Sequence, residues 1–230
     1  MSGIDSLNQT NQLRESDNLL KSLQSSDQAL FELSEEKNPA KFAETLAARS
    51  LTLRHLFQKS GDKNYLLVAK AEMQTSVEIA RSLDDKTALA LPLFNLAKVY
   101  AELAENEEAI KVFKEALTAI EHNPPESHNR PAVIADFKIH LATAELKNGD
   151  HSARIRLEQF IKDLAESDED LFNKNVWLSG AYMNLAHLLQ KQDPKAAKEY
   201  LQKSKEIIDS DHRLILRKKQ WQKLADNVSS

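Results

Sequence analysis

Apolar residues recur every three or four positions through most of the chain, the period of a helix that buries one face. Ala109, Ile110, Phe113, Ala116, Leu117 and Ile120 give the clearest run. Long alternations of Val, Ile, Thr and aromatics, which strands would need, are absent. The spacing predicts helix pairs at about 39–60 with 62–83, 87–103 with 106–122, 130–148 with 150–166, and 171–191 with 194–209. A last helix is expected over about 212–227. Residues 1–36 should carry one or two short helices, with Leu13, Leu19, Leu20, Leu23, Leu30, Phe31 and Leu33 as their apolar material. Turn signals stand between paired helices at Gly61-Asp62, Gly149-Asp150 and Asp193-Pro194, and Pro131 and Pro194 fit helix starts. Pro92 implies a helix that begins late or kinks there. His122 to Arg130 is the longest breaker-rich connection and the expected flexible point.

The pattern also repeats at long range. Ala69, Ala109, Ala153 and Ala197 are spaced by 40, 44 and 44 residues, and each precedes by four a large apolar residue: Met73, Phe113, Leu157 and Leu201. Leu96-Ala97, Leu141-Ala142 and Leu185-Ala186 recur at steps of 45 and 44. One helical hairpin cannot bury its own apolar face, so such units must stack. In the clearest unit, Leu91 to Pro124, Leu93, Leu96-Ala97 and Tyr100 are followed by Ala109, Phe113 and Ala116.

That unit resembles the tetratricopeptide repeat, with Leu93 in place of the usual Trp and Ala97 in place of the usual Gly. The third unit departs further, with Glu145 at the aromatic's position and Lys138 at the first large one. The steps exceed the family's ~34 residues, which helices of roughly 18–20 residues would explain. They are similar to the longer-helix repeats of bacterial regulators such as MalT and the Rap-type peptide receptors. The resemblance spans about residues 40–208. It implies an all-α, right-handed superhelical solenoid of about four antiparallel pairs with flanking helices. The expected divisions are an N-terminal segment (1–36), the repeats (37–211), and a C-terminal capping helix and tail (212–230).

Composition narrows function mainly by exclusion. Hydrophobic residues make up 41% and charged residues 29%, with four glycines and six prolines, a balance suited to long helices. The net charge of −4 does not advertise nucleic-acid binding. Without cysteine there is no disulfide and no thiolate chemistry. The polar start lacks an apolar signal core, and no stretch approaches the ~20 apolar residues of a membrane span. A cytoplasmic protein is the simplest expectation. No phosphate-cradling glycine loop, nucleophile elbow or His-Glu-x-x-His spacing occurs, so no catalytic residue, metal site or cofactor is expected.

The resemblance implies a protein or peptide partner on a concave face lined by the first helix of each pair. Asn95, His140 and Asn184 directly precede the three Leu-Ala pairs, and Lys98, Thr143 and His187 follow each Leu by two. Asn95, Lys98, His140, Asn184 and His187 are therefore the candidate partner-binding residues. An Asn amide both donates and accepts, which suits an extended peptide backbone; it could equally bridge neighbouring helices. On the last helix, Leu214, Trp221, Leu224, Ala225 and Val228 form an apolar stripe beside Arg213, Arg217, Lys218, Lys219 and Lys223. Capping of the last repeat fits this helix. The alternative is a nucleic-acid-associated repeat protein that uses its basic side. The oligomeric state is open.

Overall fold

The computed structural model describes residues 2–228, with the side chains of residues 227 and 228 outside the description. Among the described residues all regular structure is helical. The chain divides into two compact units, Met1–Glu126 and Ser127–Ser230. The division falls within the predicted His122–Arg130 connection, which also holds a short 3₁₀ turn at Glu126–His128.

The first unit contains α1 (Gly3–Glu15), α2 (Leu19–Glu35), α3 (Pro39–Ser60), α4 (Asn64–Ser82), α5 (Ala90–Glu102) and α6 (Asn106–His122). The second contains α7 (Pro131–Lys147), α8 (Ala153–Glu166), α9 (Leu171–Leu189), α10 (Pro194–Ser210) and α11 (Ile215–Val228). Consecutive helices pack as antiparallel hairpins: α1 with α2, α3 with α4, α5 with α6, α7 with α8, and α9 with α10. Within the units each pair also touches the next, through α2 on α3, α4 on α5, and α7 and α8 on α9.

The alanine register is borne out on every second helix. Ala69, Ala109, Ala153 and Ala197 are all fully buried, and Met73, Phe113, Leu157 and Leu201 are buried one turn later. A methyl group at each site lets the paired helix approach, and the larger residue fills the space beside it. Phe113 meets the Phe94 ring edge-on, with centroids 5.7 Å apart. In the second unit Leu157, Ile161, Leu164, Leu178, Leu185 and Leu189 belong to one aliphatic core.

Several expectations sharpen or change. Residues 3–35 form two helices, α1 and α2, which pack as a hairpin. Of the apolar material of this segment, Leu19 and Leu33 are buried, whereas Leu20 and Phe31 are exposed. Gly3 makes the close packing of that hairpin possible, because a Cβ there would lie 2.5 Å from the Leu33 side chain. Of the two readings of Pro92, the late start holds: α5 begins at Ala90, so the proline sits in the first turn, where its missing N–H costs no helical bond. The last helix begins at Ile215, three residues later than expected.

Candidate functional site

First helices of the pairs place the candidate residues. On α5, Asn95 and Lys98 are half-buried. The Lys98 ammonium lies 4.7 Å from the Phe94 ring centre, one turn back on the same helix. One turn further on, Glu102 receives a two-pronged contact from Arg54 of α3, with N···O distances of 2.7 and 2.9 Å, and a hydrogen bond from Gln58 at 3.2 Å. Burial acts to raise the Glu102 carboxyl, but Arg54, Gln58 and Lys98 together hold it below the ordinary value. Sequence reasoning missed this link between neighbouring first helices, because Arg54 and Glu102 stand 48 positions apart.

The second unit carries the other three. His140 of α7 is half-buried, and its Nε2 lies 3.8 Å from Asp136 Oδ1 one turn earlier. Asn184 and His187 of α9 are exposed, and Gln190 Nε2 lies 3.3 Å from His187 Nδ1. Helices α7 and α9 touch. Asp136, His140 and Thr143 follow one face of α7 at steps of four and three, and Gly180, Asn184 and His187 do the same on α9. Thr143 turns its hydroxyl back onto the Ile139 carbonyl at 2.7 Å. A shallow hollow of about 360 Å³ in this unit lies elsewhere, lined by Tyr182, Lys203, Glu206, Ile207 and Ser210. Among the described residues no group of three or more His, Asp or Glu converges as a metal site would.

Glu145, at the third unit's aromatic position, is half-buried and pairs with Arg156 of α8 at 2.8 Å. At the corresponding place in the second repeat, Tyr100 accepts a hydrogen bond from Gln74 at 3.2 Å and carries Lys70 5.0 Å above its ring. An ion pair thus replaces an aromatic contact without loss of the hairpin.

The C-terminal helix uses much of its predicted surface for packing. Leu214 is buried, Leu224 and Ala225 are half-buried, and Trp221 Nε1 donates to the Leu201 carbonyl at 2.9 Å. Val228 of the expected stripe lies outside the described side chains. Arg213 is held by Asp211 at 2.7 and 2.8 Å and lies 4.7 Å from the Phe172 ring centre. Its hydrogen bonds, more than its charge, hold the Asp211 carboxyl far below the ordinary range. Arg217 is half-buried over α9, where a Cβ on Gly180 would come within 3.2 Å of its guanidinium. The sequence signal for that close approach was a glycine inside a helical period. Lys218, Lys219 and Lys223 are exposed.

Residues 92–123 match the family model described as a tetratricopeptide repeat. α5 and α6 form a tetratricopeptide repeat. Similar folds extend over nearly the whole chain. The nearly identical TPR-like repeats of a candidate kinesin light chain from Podosopora anserina align at 14% identity and a TM-score of 0.58. That alignment covers 90% of this chain and 95% of the other. BtubC (BKLC) from P. vanneervenii aligns at 18% identity and a TM-score of 0.58, over 87% of this chain and 77% of its own. No curated protein matches the sequence. Among the described residues no helix is long and apolar enough to cross a membrane.

Proposed function

We propose that the chain is a non-catalytic module that binds a protein or peptide partner on the first helices of its repeats. The repeat fold supports the class, since tetratricopeptide repeats generally mediate protein–protein interaction. The observation that carries the location is the pair of polar rows on touching helices α7 and α9, with Asn184 and His187 exposed and His140 half-buried beside Asp136. Asn95 and Lys98 supply the corresponding positions on α5 of the first unit. Adaptor, chaperone-like and ligand-sensing roles all fit such a surface. Cytoplasmic residence belongs to the same proposal and rests on composition.

The nucleic-acid reading is the weaker one. Asp211 neutralises Arg213 and Arg217 packs over Gly180, so both arginines are engaged in structure.

Affinity capture from the native cell identifies the partner, and titration of that partner tests the surface. Asn95→Ala and Asn184→Ala should each weaken binding roughly three- to tenfold with the fold intact, the worth of one hydrogen bond to a neutral backbone. Lys114→Ala, on the exposed side of a second helix, should change little. Normal binding by both Asn variants, with binding abolished by neutralising Lys218, Lys219 and Lys223, would move the site to α11 and overturn the proposal.

A further inference from the structure

A second surface lies on the other side of the first unit, between second helices α2 and α4. Here Arg49 of α3 reaches both neighbours, pairing with Asp27 of α2 at 3.1 Å and Glu72 of α4 at 2.6 Å. This fixes which sides of α2 and α4 face each other. Leu20 and Phe31 share the Asp27 face of α2, seven residues before and four after it. Val68 stands one turn before Glu72 on α4, with Leu67 beside it. All four apolar side chains are exposed: Leu20 68%, Phe31 64%, Leu67 54% and Val68 46%. Because α2 and α4 both run antiparallel to α3, they run the same way. Leu20, Leu67 and Val68 therefore lie to one side of the ion pair, and Phe31 to the other.

The centre of this surface is short of positive charge. Two carboxylates share one guanidinium, and Glu72 Oε2 is buried without a hydrogen-bond partner. Burial pushes the Glu72 carboxyl above the ordinary carboxylate range, against the pull of Arg49. A second positive charge at Asp27, whose side chain is 62% exposed, would compensate that carboxylate and leave more of the Arg49 charge to the buried Glu72. The helices present no open backbone edge, so an extended strand would find few partners for its own N–H and C=O groups. The groove between two helices running the same way instead suits the side-chain ridge of a third.

We propose that this face of α2 and α4 docks a basic amphipathic helix of a partner protein. Two apolar residues about three turns apart rest on Leu20 with Val68 and on Phe31, and an Arg or Lys between them pairs with the exposed Asp27 carboxylate of the Arg49 ion group. The surface is separate from the first-helix rows, so neither reading depends on the other.

The test uses the full chain and a fluorescein-labelled, alanine-based helical peptide with two leucines about three turns apart and one arginine midway. Fluorescence anisotropy should show saturable binding that weakens about tenfold in Phe31→Ser and in Leu20→Ser. Replacing the peptide's arginine by glutamate should weaken it about as much. Ile155→Ser, which removes an exposed apolar side chain from the second unit, should leave it unchanged. Circular dichroism melting checks that each variant is folded; if one is not, the other and the glutamate peptide still decide. No saturable binding up to about 1 mM, equal weakening by Ile155→Ser, or indifference to the arginine would overturn the proposal. So would a dimer of the chain, seen by sedimentation and lost in Phe31→Ser, since the occupant would then be a second copy.

Discussion

The first two hairpins and the last two solve the same packing problem with different side chains. In α7 to α10 the core is mainly aliphatic, with Leu157, Ile161, Leu164, Leu178, Leu185 and Leu189 in one cluster and Ser179 and Ser204 as fully covered hydroxyls. In α1 to α4 many of the fully covered positions carry hydroxyls: Ser6, Thr10, Ser22, Ser26, Thr45, Ser50, Thr52 and Ser76. Each finds an acceptor. Ser22 donates to the Thr10 carbonyl at 2.9 Å and lies 3.0 Å from the Thr52 hydroxyl. Ser25 reaches the Ser6 carbonyl at 2.8 Å, and Ser76 the Ala43 carbonyl at 2.9 Å. Small hydroxyl residues allow helices to approach as alanine does, but they bury little apolar area and draw their net stability from modest hydrogen bonds. Close approach is the shared requirement; the hydrophobic surplus is not.

The largest expected effects test whether the alanine register overrides this difference. Leu157→Ala in the second unit and Met73→Ala at the same register in the first should each destabilise by about 2–5 kcal/mol, since both side chains are fully covered. Urea unfolding of the two variants measures it. A Met73→Ala cost below about 1 kcal/mol would show that the hydroxyl-rich hairpins tolerate a cavity the aliphatic ones do not. Ser22→Ala should cost less, about 0.5–1.5 kcal/mol, because it removes hydrogen bonds without opening a large void. A cost of Leu157→Ala size would mean that the hydroxyl network holds the first hairpins together as a unit.

The same contrast explains what was legible in the sequence. The register Ala69, Ala109, Ala153 and Ala197 could be read because alanine followed by a large apolar residue is a distinctive pair at a fixed step. The register extends to α2, where Ala29 and Leu33, 40 residues before Ala69 and Met73, are both fully buried, a repeat that sequence reasoning missed. On α2 residue type is a poor guide to burial: Ser22, Ser25 and Ser26 are buried, while Leu20 and Phe31 are exposed. Turns were readable at Gly61 and Gly149, whose φ angles are +76° and +98°. Asp17 and Ala104, at the α1–α2 and α5–α6 turns, and Lys37, between α2 and α3, adopt the same left-handed conformation without a glycine to announce it. Of the candidate site, the sequence supplied positions on first helices. It could not supply Arg54 with Glu102, Arg49 with Asp27 and Glu72, or Arg217 over Gly180, because each joins side chains far apart in sequence whose meeting depends on how separate helices pack.

Ala104 offers a smaller test of opposite sign. Its φ of +64° is strained for a residue with a Cβ, whereas the α7–α8 hairpin places Gly149 at its turn. Ala104→Gly should stabilise the first unit by about 0.5–1 kcal/mol, seen as a higher urea midpoint with an unchanged slope. A lower midpoint would mean that glycine's extra freedom in the unfolded chain outweighs the relief of strain.

The finest test separates two arginine–carboxylate links inside the first unit, Arg54 with Glu102 and Arg49 with Glu72. Their carboxyls are shifted in opposite directions, Glu102 below and Glu72 above the ordinary value of 4.5. Glu102 has two donors on its carboxylate besides the nearby Lys98, enough to outweigh burial. Glu72 has one donor, a second carboxylate in Asp27 nearby, and an oxygen with no partner. Linkage then fixes the signs. A lowered carboxyl contributes stability that is present above pH 4.5 and is lost as pH falls through its folded value. A raised carboxyl contributes stability that is full below pH 4.5 and is lost as pH rises through its folded value. Urea midpoints from about pH 3 to 7 for wild type, Glu102→Gln and Glu72→Gln should therefore diverge in opposite senses. The advantage of wild type over Glu102→Gln should shrink as the medium is acidified below pH 4.5. Its standing against Glu72→Gln should improve as pH falls from neutrality towards 4.5, because the folded chain takes up the proton first. Parallel curves for the two variants would show that Glu72 is solvated well enough to behave as an ordinary carboxylate. The same result would weaken the case for a cationic side chain docking there, because that case rests on an acid whose charge is under-compensated.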